Sequence, residues 1–145
     1  MKAKRIGVGM ISILFVLLFV YAAASKSMDF EKFSLQLHKS PLLTRHAGLM
    51  VWTVPLTEIG IALMLLSERF RLLGLYSSFS LMVMFTGYIF IITRFSPDTP
   101  CSCGGVLQHL SWDQHLVFNL GFVALGALGV ILYPPDKKHT PQKIE

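Results

Sequence analysis

The sequence predicts an all-α protein, an integral membrane four-helix bundle, and three observations carry that expectation. Hydrophobic residues make up 53% of the 145-residue chain against 14% charged, and the mean hydropathy is +0.59, outside the range of soluble domains. Four apolar runs, at about 6–24, 47–66, 72–93 and 116–133, each approach the roughly 20 residues that an α-helix needs to cross a bilayer. The segments between them are short and polar. A chain of this length cannot bury so much apolar surface in a water-soluble core, whereas lipid can replace the missing core around four helices. Residues 1–133 therefore read as one transmembrane domain and 134–145 as a charged, proline-interrupted tail. No internal repeat is present.

The first run, "MKAKRIGVGMISILFVLLFVYAAASKS", has the basic start, apolar centre and small-residue end of a secretory signal peptide. Its apolar stretch of about 19 residues exceeds the roughly 7 to 15 of a signal h-region, and removing it would leave three spans. It is read as a retained helix. With four crossings, one side of the membrane holds eight basic residues in short stretches: Lys2, Lys4, Arg5, Arg69, Arg71, Lys137, Lys138 and Lys143. The other side holds five, Lys26, Lys32, Lys39, Arg45 and Arg94, spread over longer loops. The bias places both termini in the cytoplasm and the loop between the third and fourth runs on the periplasmic side of a bacterial inner membrane. The same flanking role accounts for the net charge of +5 without any nucleic-acid partner.

Between the first two runs, Phe30, Phe33 and Leu37 recur at helical spacing among charged residues, which predicts a short amphipathic helix. Ser40-Pro41 should end it, because the residue before a proline is pushed out of the helical region. Such a segment is expected to lie flat in the headgroup layer as a lid on the bundle, a plain connector being the alternative. The fourth run has a capping-box start, Ser111 followed three residues later by Gln114, so its helix should begin near Trp112. Gly121, Ala124, Gly126 and Gly129 are expected to permit close helix approach.

Both cysteines of the chain, Cys101 and Cys103, stand in "PDTPCSCGGV". A disulfide across one residue closes a small ring in which the preferred geometry is hard to reach, and strained, exposed disulfides are the labile or catalytic kind. On the oxidising side of the membrane this reads as a pair that exchanges disulfides, with Gly104 and Gly105 leaving the sulfurs approachable. Two alternatives stand beside it. Cys101, Cys103, His109 and His115 have the ligand types for zinc or copper, although C-x-C-x5-H-x5-H matches no standard zinc spacing. A purely structural link is the other, although so short a loop gains little from cross-linking.

Glu58 falls about a dozen residues into the second run, in "VPLTEIGIALMLL", where a carboxylate is costly and faces the bundle interior or a polar cavity. A proton-handling or ligand-facing role competes with a buried hydrogen bond to a neighbour such as Asn119. Pro55 removes a backbone hydrogen bond on the same helix. His38, Arg45 and His46 fall at the outer surface, where a quinone headgroup or a partner protein would dock, or where they simply mark the interface. Tyr76, Phe79, Phe85, Tyr88 and Phe90 on the third run are candidates for a flat-ring pocket, with lipid contact or packing as the plainer reading. No Ser-His-Asp, phosphate-loop or nucleotide fingerprint is present.

The segments "YAAASKSMDFEKF", "VPLTEIGIALMLL", "LLGLYSSFSLMVMFTGYI", "CSCGGV" and "SWDQHLVFN" occur in this order over about residues 6–133. In them the chain resembles the MauE/DoxX-like membrane proteins, in particular the methylamine-utilisation MauE type. The resemblance rests on the Lys26 and Asp29-Phe30 segment, the intramembrane Glu58 and the cysteine loop together. It implies a four-helix bundle in the bacterial inner membrane, distantly similar in arrangement to vitamin K epoxide reductase. It also implies help with disulfide formation in a periplasmic protein, alongside a thioredoxin-like partner or a secreted client. Among looser relatives such redox chemistry is linked to a quinone. Carried onto this chain, Cys101 and Cys103 are the catalytic candidates, with Glu58, His46 and Arg45 as a quinone or proton site. One departure matters: vitamin K epoxide reductase relatives have a C-x-x-C and often a second pair, whereas this chain has one C-x-C. An internal two-pair relay is therefore impossible. The alternatives to a thiol-disulfide redox protein are a non-catalytic membrane subunit or maturation factor, and a metal-binding membrane protein.

Overall fold

The computed structural model describes residues 2–40, 43–95 and 112–134. Each apolar run forms one helix. Helix α1 (Lys2–Met28) is followed by the short α2 (Phe30–Lys39), a 3-10 turn (Thr44–His46), α3 (Ala47–Leu66), α4 (Arg71–Phe95) and α5 (Trp112–Leu132). At ~1.5 Å per residue the four long helices run from about 30 to about 40 Å, enough to cross a hydrocarbon layer of roughly 30 Å. All four are apolar enough to do so, and the described residues contain no strand. The protein is a multi-pass membrane protein.

The long helices form a closed ring. Helix α1 packs most extensively against α3 and α4 against α5, while α3–α4 and α1–α5 contacts complete the circle. Antiparallel neighbours follow from the connections, and the packing agrees: Gly129, late in α5, meets Leu75 early in α4 and Ile11 early in α1. The inner stripe of α1 is Val8, Ile11, Phe15, Phe19, Ala23 and Lys26, and that of α3 is Val51, Glu58, Ile61, Ala62 and Leu65. Both keep the three- and four-residue spacing of a single helix face. The opposite faces are just as apolar. Leu17, Leu56, Leu63, Val117 and Ile131 are each more than 60% exposed, a surface suited to lipid and not to water.

Hydroxyls within the spans turn back onto their own helices. Ser12 donates to the Val8 carbonyl at 2.8 Å, Ser78 to Gly74 at 2.7 Å and Thr93 to Ile89 at 2.6 Å. Each is thus satisfied without a partner helix.

Two packed regions divide the interior. The larger, at the end where α1 begins, is built on Val8, Phe15, Ile61, Leu65 and Leu75, with Phe15 against Phe19 at 5.7 Å and edge-on to Phe122 at 5.4 Å. The smaller, at the opposite end, joins Phe33 and Leu37 of α2 to Ala47 and Val51 of α3. So α2 lays its apolar face on the bundle, as its periodicity predicts. It ends at Ser40, whose backbone is extended (φ −75°, ψ 121°), as suits a residue before proline. The Tyr88 hydroxyl of α4 donates to Ser40 Oγ at 2.8 Å and ties that end of the lid down.

Three sequence expectations need correction or lie elsewhere. Helix α1 runs past the predicted end of its apolar run, so Lys26 belongs to the helix and is buried, not part of an outer loop. Of the small residues on α5, Gly126 and Gly129 sit at close approaches, but Gly121 has open space where a Cβ would be and Ala124 is exposed. They lie off the inward stripe of α5. The calls on Cys101, Cys103, His109, Ser111 and the tail beyond residue 134 fall outside the described residues.

A Cβ on Gly126 would stand 3.3 Å from the Phe79 Cα, a backbone atom that cannot rotate away. Gly126→Val is therefore expected to lower the stability of the purified protein by about 1–3 kcal/mol through overpacking. Gly121→Ala should be neutral or slightly stabilising. Parallel thermal melts of the two variants and the parent in one detergent check both.

Candidate functional site

Between the two packed regions the bundle interior turns polar. Lys26, in the last turn of α1, and Glu58, at the middle of α3, occupy inward positions of their helices. The α1–α3 contact brings them together: Lys26 Nζ donates to Glu58 Oε1 at 2.7 Å, with side chains only 5% and 1% exposed. Each charge alone would be expensive to bury, and their pairing offsets much of that cost. The position of Lys26 helps, because the C-terminal end of α1 carries the negative pole of its dipole. The ammonium also stands 5.9 Å from the ring centres of Phe33 on α2 and Phe85 on α4, so four elements converge on it.

Beside the pair lies a cavity of about 170 Å³. Its polar edge is Lys26, Glu58, His115 and Asn119; apolar side chains such as Leu18, Met50, Val54 and Phe85 make up most of the rest. His115 and Asn119 are four residues apart on α5 and are 5% and 4% exposed, which puts them on one inward face at helical spacing. Phe33 and Leu37 of α2 close the cavity on the lid side. Glu58 uses only one of its carboxylate oxygens: Oε2 is buried and has no hydrogen-bond partner among the described residues.

The partner of Glu58 is thus Lys26, not Asn119, as the sequence suggested. A long cationic side chain from the neighbouring helix neutralises the carboxylate, which a neutral amide could only hydrogen-bond. Arg45 and His46 do not join the site. They are exposed in the 3-10 turn before α3, about 18 Å along the helix direction from Glu58 at ~1.5 Å per residue. His38 is also exposed, its Nδ1 2.8 Å from the Ser34 carbonyl oxygen. Of the five α4 aromatics that the sequence offered for a flat-ring pocket, Phe85 and Tyr88 line the cavity, Phe79 is half-buried, and Tyr76 and Phe90 face outward at 52% and 46% exposure.

Lys26 was the member of this cluster hardest to see from sequence, because a lysine two residues beyond an apolar run reads as a membrane flank. The available signal was its register: Phe15, Phe19, Ala23 and Lys26 follow one helical face. Of the possible metal ligands, His109, Cys101 and Cys103 lie outside the described residues, and His115 stands in the cavity wall. Among the described residues no group of three or more His, Cys, Asp and Glu side chains is placed to hold a metal ion.

Fold and site together define a small multi-pass membrane protein of four long helices, in which a buried lysine–glutamate pair joins α1 to α3 beside a lidded cavity. Residues 4–132, which include nearly all of the four spans, match the family described as methylamine utilisation protein MauE, and the chain belongs to that family. No curated protein and no solved structure matches it.

Removing one partner of the pair leaves the other charge buried alone. Lys26→Met and Glu58→Leu are each expected to cost about 3–5 kcal/mol, whereas the double variant should recover most of the loss because an apolar replacement of a buried pair is often near neutral. Unfolding of the three variants in one detergent measures this coupling. Single variants as stable as the parent would mean that the charges reach water.

Proposed function

We propose that this protein is an inner-membrane thiol-disulfide redox protein that works through Cys101 and Cys103. The segment carrying them leaves α4 at Phe95 and rejoins the bundle at Trp112. Both points lie at the end of the bundle that holds α2 and the cavity, and this placement is the observation that supports the reading. In the reaction, a thiolate of a periplasmic thioredoxin-fold partner or secreted client attacks the Cys101–Cys103 disulfide and forms a mixed disulfide. The partner's second thiol resolves it, so the partner is oxidised and the Cys101–Cys103 pair is left as a dithiol. Reoxidation of that dithiol passes two electrons and two protons to a quinone, which becomes a quinol. Because the chain has one cysteine pair, the second dithiol has to come from the partner.

The orientation follows from charge. With Lys26 inside the bundle, Lys32, Lys39, Arg45 and Arg94 remain on the cysteine side, against the eight basic residues at the termini and the α3–α4 turn. This asymmetry favours cytoplasmic termini and a periplasmic 96–111 segment. The alternative function is a non-catalytic membrane subunit or maturation factor, favoured by the way Lys26 and Glu58 clamp α1 to α3.

The exchange is reversible: in the reverse direction Cys101 attacks the disulfide of the oxidised partner and Cys103 resolves the mixed disulfide. Cys103→Ser removes that step and should leave the partner held on Cys101, seen as a higher-mass band on a non-reducing gel that dithiothreitol removes. A chain that captures nothing, and functions normally with both cysteines replaced, is the non-catalytic subunit instead. In intact cells treated with a membrane-permeant reductant, an impermeant maleimide should label the pair; cysteines that remain unlabelled would reverse the orientation.

A further inference from the structure

The cavity beside Lys26 and Glu58 has a size, a wall and a polar point that together describe a ligand. Its volume of about 170 Å³ compares with the roughly 150 Å³ of an apolar protein cavity that accommodates benzene. One six-membered ring with a small substituent fits, and the wall suits such a ring: Leu18, Val54 and Met82 contribute hydrocarbon, and Phe19 and Phe85 contribute two aromatic side chains. At the edge, Glu58 Oε2 is a buried acceptor without a partner among the described residues. A buried acceptor left unpaired is costly, so the complementary group is a hydrogen-bond donor. Beside it, Lys26 Nζ spends one donor on Glu58 Oε1 at 2.7 Å, and an ammonium has three.

We propose that this cavity is a binding site for a single aromatic ring bearing a hydroxyl, with the O–H donating to Glu58 Oε2 and the ring lying against the apolar wall. The hydroxyl relieves the unpaired oxygen, and its own oxygen can accept from the remaining donors of Lys26. The ring takes the space between the two packed regions of the core. Such a molecule partitions into a bilayer and reaches the bundle from there. A quinol belongs to this chemical class, so the site suits the acceptor of the proposed reaction, but the inference rests on the cavity and not on the cysteines.

The test uses the full chain in lipid nanodiscs and two probes of matched shape, 4-fluorophenol and 4-fluorotoluene, read by fluorine NMR. Saturable binding of the phenol, at least ten-fold tighter than that of the toluene, is expected. Ala22→Leu and Val54→Leu each add bulk to the cavity wall while keeping Lys26 and Glu58, and either should abolish phenol binding. The Lys26→Met/Glu58→Leu double variant should reduce the phenol to the affinity of the toluene. The Cys101→Ser/Cys103→Ser variant should bind the phenol as the parent does, whatever becomes of thiol exchange. Equal affinity for the two probes would overturn the proposal in favour of a lipid acyl chain. So would phenol binding that survives either cavity-filling substitution, that is lost with the cysteines, or that is absent altogether.

Discussion

A carboxylate in the middle of a membrane-spanning helix has to be neutralised from within the protein, because lipid offers it nothing. In this bundle that constraint is met by one contact, Lys26 Nζ on Glu58 Oε1 at 2.7 Å, and much of the architecture follows from it. It sets the register of α1 against α3, the most extensive interface in the bundle together with α4–α5. It requires α1 to continue beyond its apolar run, so that the lysine belongs to the helix and its stem points inward. The ring centres of Phe33 of α2 and Phe85 of α4 each stand 5.9 Å from the ammonium, so the lid and the third span meet at the same charge.

The pair is also the reason the core is divided. Where α1, α3, α4 and α5 present apolar side chains to one another, they pack tightly, with glycines on α5 admitting Phe79, Leu75 and Ile11. Where they present Lys26, Glu58, His115 and Asn119, packing gives way to a cavity under α2. Helix α2 cannot cross a membrane at ten residues, and its two buried side chains are the ones that close that cavity. A polar cluster, a void and a lid thus coincide in this region of the molecule. Its end of the bundle is also where the segment bearing both cysteines departs and returns.

Much of this was legible because membrane insertion imposes simple arithmetic on a sequence. Span lengths and the amphipathic spacing of Phe30, Phe33 and Leu37 each follow from local rules, and the helices form where those rules put them. Glu58 was conspicuous for the same reason, as an acid where none is expected. Lys26 was not, because a charge at the end of an apolar run satisfies the flanking rule equally well from outside; only the inward register of Ala23 and Lys26 distinguishes the two. Asn119 was a reasonable partner for Glu58 by type, and it does share the cavity, but a helix neighbour carrying the opposite charge lies closer to the carboxylate.

The sequence by itself determined the fold class, the number of spans, the short surface helix and the presence of a single cysteine pair, since these depend on composition and on spacing along one chain. The order of helices around the ring, the pairing of Lys26 with Glu58, the exclusion of Arg45 and His46 and the inward turn of His115 and Asn119 were decided by the tertiary structure. Each depends on which helix faces which, and in a bundle whose outer faces are as apolar as its inner ones the hydrophobic pattern carries little of that information. Buried charges and glycine contacts carry it instead.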